Sequence, residues 1–300
     1  AGNYQLQYGQ GLIFNDPYDR DFKSKSRGAR IDTGTNPNMH LKGIVAEKKI
    51  GAFDLVAFYS DKKMRSSLSL DGETARLSLE TDARLYDSYD TWKNIERRDN
   101  LHEELFGGRM KWAFASGTHI SVLGYDSYYS PLINQTDQYG KITKPYAFRG
   151  DRNSVIGADF DTRLSGVNLF GEYARSYEHG REKLGLEAPY NEQQIGDAWI
   201  IKMLFPVSRI NIMAAYWDYD PDYVSPYSSA MGGRDMKSKD FNQVGTMFGL
   251  TFRAKGLEGQ AHYKPVRYKV PEKTKNYPGR SDDYLLSLKY KPEREYELYY

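Results

Sequence analysis

The sequence contains no cysteine, which removes disulfides, thiolate-bound zinc and a thiol nucleophile. It has no apolar run approaching the roughly 18 residues of a spanning helix, so a helical membrane bundle is excluded. It has almost no charge excess. The 42 basic and 40 acidic side chains leave a net charge of +2, so no global field draws the chain toward nucleic acid. Tryptophan is scarce at 4 residues, whereas tyrosine reaches 26, phenylalanine 13 and glycine 27 in 300 residues. That is too aromatic for disorder. It is a composition of β-proteins with wet surfaces, transmembrane barrels among them.

There is no initiator Met and no signal peptide. Ala1 begins almost inside a strand, and Leu298-Tyr299-Tyr300 ends inside another. We read residues 1–300 as a single β-barrel domain, a mature fragment with segments missing at one or both ends.

Period-2 alternation recurs along the chain. Tyr4, Leu6 and Tyr8 share one face and Asn3, Gln5 and Gln7 the other. Phe106, Met110, Trp112 and Phe114 oppose Arg109 and Lys111. Trp199, Ile201, Met203 and Phe205 oppose Lys202, and Tyr284, Leu286, Leu288 and Tyr290 oppose Ser287 and Lys289. Around thirteen such segments of about 10 residues are visible, the length that crosses a bilayer when tilted. The stretch His262 to Arg267 is ambiguous, because Pro265 removes a ladder donor and a bulge there would exchange the faces.

The connections alternate strictly between two kinds. Tight ones fall near 51, 116, 165, 208, 256 and 293, where Gly, Ser and Pro supply hairpin geometry. Long polar ones fall at about 15–39, 65–103, 130–152, 179–196, 219–240 and 271–282. A soluble sandwich has no reason to gather its long loops at one end; a transmembrane barrel does. The expected fold is therefore all-β, an antiparallel up-and-down transmembrane barrel. An even strand number makes that 14 or more in the complete protein.

On this reading ten charges point into the lumen: Arg109, Lys111, Asp159, Asp161, Arg163, Glu172, Lys202, Arg253, Arg267 and Lys269. A charge on the lipid face near mid-bilayer would cost about 2–4 kcal/mol. Such a set can tune ion passage or fill the interior with salt bridges, and filling is preferred. Other chemistry is thin. None of the five histidines has HxxxH or HExxH spacing. His119 and Ser121 share a strand face, which is ordinary for a polar lumen, and the Gly-x-Ser-x-Gly elbow is absent. Asp218, Asp220 and Asp222 place three carboxylates in five residues, short of an EF-hand loop. The Tyr-rich run Asp126 to Ser130 suits sugar stacking or, preferably, an interfacial aromatic belt. No catalytic, cofactor or metal site is assigned.

The stretch Tyr4-Gln5-Leu6-Gln7-Tyr8-Gly9-Gln10-Gly11-Leu12 resembles a strand of outer-membrane barrels from Bacteroidetes-type bacteria labelled helix-hairpin-helix domain-containing. Residues 51–60, 167–174 and 283–290 resemble it further, and with the loop order the likeness covers most of the chain. The resemblance implies a longer precursor with a signal peptide and small helix-hairpin-helix modules before the barrel. No such module is visible here, so DNA binding is not carried over. The expected role is a non-enzymatic outer-membrane barrel in a Gram-negative cell. It would be a porin-like channel, or an anchor for a periplasmic partner, in contact with outer-membrane lipid and lipopolysaccharide. The alternative is a soluble or surface β-rich module that binds carbohydrate or protein. A barrel enzyme lacks a convincing nucleophile–base pair.

Overall fold

The computed structural model describes residues 2–14, 26–31, 40–64, 66–68, 73–77, 99–134, 147–186, 192–228, 242–254, 256–270 and 279–290. Fifteen strands join one sheet. They are β1 (Gly2–Gln7), β2 (Gly28–Ile31), β3 (Leu41–Ile50), β4 (Phe53–Met64), β5 (Ser66–Leu68), β6 (Thr74–Leu77), β7 (Leu101–Ala115), β8 (Thr118–Asn134), β9 (Arg149–Leu164), β10 (Val167–His179), β11 (Ile195–Val207), β12 (Ile210–Tyr219), β13 (Gln243–Ala254), β14 (Leu257–Tyr268) and β15 (Arg280–Tyr290). The wall is β3, β4 and β7 to β15, each antiparallel to the next. The chain is thus all-β, one antiparallel up-and-down sheet.

The tight turns sit where glycine and serine place them. Ser165 and Gly166 both have positive φ, 48° and 85°, the pair of left-handed residues that matches a turn to the twist of a hairpin. Gly51, Gly117 and Gly256 supply the same region in three other turns. The turn expected near 293 lies outside the described residues. The long connections all leave from the opposite end. Two carry short strands, β2 within 15–39 and β5–β6 within 65–103, so these polar stretches hold more ladder than their composition suggests.

Burial alternates along the central wall strands, as in β4, where Val56 and Phe58 are buried and Phe53, Leu55 and Tyr59 are exposed, whereas edge strand β15 is exposed throughout. Cross-strand register carries that alternation round the sheet. Pro265 interrupts the β13–β14 ladder, yet Gly245 still faces Val266 and Phe248 still faces Tyr263. Both pairs belong to the same register, so no bulge exchanges the faces. Among the described residues the wall is not closed. The path ends at β15 on one side and β2 on the other, and β1 grips the β3 edge only through residues 2–4 against 41–43.

Four glycines lie directly opposite aromatic side chains: Gly107 opposite Phe58, Gly171 opposite Phe160, Gly245 opposite Trp217 and Gly259 opposite Phe252. In each case the ring occupies the space that a Cβ would take. The glycine lets the ring lie flat on the neighbouring backbone, an aromatic–glycine complement across the ladder. Gly171→Val should therefore expel the Phe160 ring and destabilise the sheet by about 1–3 kcal/mol, despite valine's strand preference. A urea-unfolding midpoint in detergent reads the loss.

Candidate functional site

The interior is where the chain departs from a bare barrel wall. After β1 the chain runs inward, and residues 8–14 pack against the inner face of the sheet. Leu12, Ile13 and Phe14 are 0 to 2% exposed although they belong to no strand. An irregular backbone so deeply buried needs a partner for its polar groups. Glu172 on β10 supplies one: its Oε2 accepts from the amides of Gln10 at 2.5 Å and Leu12 at 3.0 Å. Gly9, at φ 59°, lies against the same carboxylate, which leaves no room for a side chain.

A second segment closes on the first. Beyond β12, residues 220–228 turn inward and cover the strap with hydroxyl donors. Tyr223 donates to the carbonyl of Leu12 at 2.6 Å, Ser225 to that of Ile13 at 3.1 Å and Ser228 to that of Gly11 at 2.8 Å. Burial raises the pKa of Tyr223 well above the ordinary tyrosine value, so it stays a donor. Phe14 packs among Phe58, Tyr125 and Tyr227, with ring centroids 5.0 to 5.5 Å apart. Tyr8 hydrogen-bonds Glu47 on β3 at 2.9 Å and lies under the guanidinium of Arg109 on β7. Ile13 reaches Gly157 on β9. Strands β3, β4, β7, β8, β9 and β10 therefore all contact one strap, so the sheet curls round it.

The charges expected in the lumen divide by location. Arg109, Asp159, Glu172 and Lys202 lie buried on the inner face. Arg109 Nη2 is 3.5 Å from Asp159, whose carboxylate also takes the Ser121 hydroxyl. Lys111 is on the same face, half-buried and paired with Asp54 at 2.5 Å. Asp161 is half-buried opposite Phe170 and His119. Arg163 and Arg253 sit at exposed turn ends, Arg253 paired with Glu258. Arg267 is exposed on the face opposite buried Val266 and stands in register with Arg280, so the structure places it outside. Lys269 lies just past β14, where its ammonium meets Asp218 and Asp220. Partial burial works against that charge, but the two carboxylates outweigh it and hold the lysine pKa above its usual value.

The other candidates resolve in the same way. Lys269 is the cation that Asp218 and Asp220 hold. His119 Nε2 lies 3.6 Å from Asp159, and Ser121 donates to that same carboxylate. The acid thus sits between serine and histidine, whereas nucleophilic catalysis needs the histidine between serine and acid. Tyr128 faces outward beside Arg152, and Tyr129 turns inward against Phe148. The strap itself had no sequence signal beyond its apolar Leu12-Ile13-Phe14 end, and its partners Tyr223, Ser225 and Ser228 lie more than 200 residues away.

No protein-family model matches the chain, and no curated protein matches it.

The strap depends most on Glu172. Glu172→Ala leaves two buried amides without an acceptor, which should cost about 2–3 kcal/mol locally. Hydrogen exchange at Gln10 and Leu12 should accelerate by about 30- to 160-fold. Unchanged protection at both amides would show that the carboxylate does not hold the strap.

Proposed function

We propose that the chain is the β-wall of a non-enzymatic outer-membrane barrel in a Gram-negative cell, and that it serves as an anchor for a periplasmic module instead of an open porin. The outer face carries this reading. On β11 the outward positions Trp199, Ile201, Met203, Phe205 and Val207 are all apolar and 38 to 42% exposed. On β7 they are Phe106, Gly108, Met110, Trp112 and Phe114, and on β15 Tyr284, Leu286, Leu288 and Tyr290. Five alternate positions span about 27 Å of strand. At a barrel tilt that is about 20 Å of height, close to the roughly 25 Å apolar band of a membrane barrel. A water-soluble monomer rarely exposes a contiguous apolar patch beyond a few hundred Å².

The two segments packed on the inner face support anchoring over free diffusion. Residues 8–14 and 220–228 hydrogen-bond each other along the path a solute would take. A helix-hairpin-helix module on the periplasmic side, as the resemblance of the strands implies, is the kind of partner such an anchor would carry.

A heat-modifiability gel on protein from outer-membrane fractions tests the barrel; unboiled and boiled samples should migrate differently in SDS. In planar bilayers the wild-type protein should stay silent, and a variant with Leu12, Ile13 and Phe14 all replaced by Asp should open. Steady wild-type conductance would defeat the anchor reading. A protein recovered in the aqueous fraction with no heat shift would defeat the membrane reading and favour the ligand-binding module.

A further inference from the structure

One arrangement recurs three times on the outer face. Arg152 on β9 holds Asp126 through Nε at 2.9 Å and Nη2 at 2.6 Å. Arg175 on β10 holds Asp197 through the same two nitrogens at 2.7 and 2.8 Å. Arg280 on β15 holds Asp282 through them at 3.0 and 3.1 Å. Each carboxylate also accepts a tyrosine hydroxyl, from Tyr128, Tyr173 and Tyr263 respectively. Each cluster lies in the part of its strand nearest a long connection: Arg152 near the start of β9, Arg175 near the end of β10 and Arg280 at the start of β15.

The pattern has a chemical consequence. A side-on fork uses Nε and Nη2 and leaves the Nη1 edge of the guanidinium outside it. The carboxylate fixes the plane of that group, and the tyrosine fixes the carboxylate. An arginine held this way meets a second anion with little further loss of side-chain freedom. The three arginine side chains remain 41, 42 and 63% exposed. The opposite margin is built differently: its outward positions at the tight turns include Phe114, Leu164, Val207, Ile210 and Tyr290, all exposed and apolar. Lys48 on β3 and the hydrogen-bonded pair Thr118 and Thr162 are exceptions there.

We propose that the three Arg–carboxylate–Tyr clusters bind phosphate groups on the saccharide-headed lipids of the outer leaflet. The inference rests on the membrane reading and deepens it, because it names a headgroup and three places that take it. The asymmetry between the two margins is the observation that selects this ligand. A bilayer with the same headgroups on both sides would give one margin no reason to carry three prearranged guanidinium groups while the other carries apolar side chains. Phosphate fits because a planar guanidinium edge presents two parallel N–H bonds to it.

The test uses the whole chain, folded in detergent micelles, with bis-phosphorylated lipid A as the probe and native mass spectrometry as the readout. The controls are the same lipid stripped of phosphate, and inorganic phosphate. Wild-type protein should prefer the phosphorylated lipid by about tenfold or more, the scale of one charge-assisted pair. The triple variant Arg152→Gln, Arg175→Gln, Arg280→Gln should lose that preference while keeping its heat shift. The triple Arg→Lys variant keeps the charge and loses the fork, so it should show an intermediate preference; if the Gln variant does not fold, the Lys variant carries the test. Equal binding of both lipids, or a preference that survives in the folded variants, would overturn the proposal. Inorganic phosphate that displaces the lipid at matching phosphate concentration would assign the clusters to free anions instead. Failure of the membrane reading is separate: it appears as a chain soluble without detergent, whatever the lipid result.

Discussion

The antiparallel ladder sets the facing of the side chains along the wall strands. Each wall strand is paired to the next, so neighbouring residues take opposite faces from β3 to β15. A single sheet with no second layer has to use both faces. One face accepts apolar exposure. The other carries buried polar and charged side chains that need partners. The buried Arg109, Asp159 and Lys202, the carboxylate of Glu172 and the strap it holds all follow from that division.

The interior charges are worth reading as a set. Isolated burial of a charge is prohibitive, and a buried pair recovers its desolvation cost only with good geometry and further hydrogen bonds. Asp159 meets this condition through Arg109, Ser121 and His119. Glu103 does so through Lys62 and Tyr227. Glu178 does so through Arg181 and the amide of Arg149. Each acid is satisfied by groups from at least two elements, so the pairs cross-link the wall while they fill it. The strap is held in a different way, by side chains that bond its backbone. Its grip depends on the path of residues 8–14 more than on their side chains.

Much of the wall is legible from the sequence. Strands such as Trp199 to Phe205 announce themselves because polarity alternates at the ladder's own period, and turns such as Ser165-Gly166 because they need left-handed residues. Pro265 was the doubtful point, and the register on both sides of it holds. Arg267 lies outside because it shares the face of Tyr263, in register with exposed Phe248; so near a strand end interrupted by Pro265, the alternation is too short to fix that face from sequence. The strap was not legible: Tyr8-Gly9-Gln10-Gly11-Leu12-Ile13-Phe14 continues the pattern of β1, and contacts with residues 39 to 217 positions away hold it inward. The rim clusters escaped notice for a similar reason, since Asp126 and Arg152 are 26 residues apart and meet only through register.

The aromatic–glycine pairs bear on how the wall assembles. A slip of one residue between strands exchanges the faces and is opposed by polarity alone. A slip of two keeps the faces and escapes that check. It would, however, set Phe58 against Leu105 or Arg109, Phe160 against Leu169 or Tyr173, Trp217 against Gln243 or Met247, and Phe252 against Leu257 or Ala261. Every alternative puts a ring onto a side chain. The four glycines thus act as notches that only the native alignment can fill, on four of the ladders where polarity would tolerate the error.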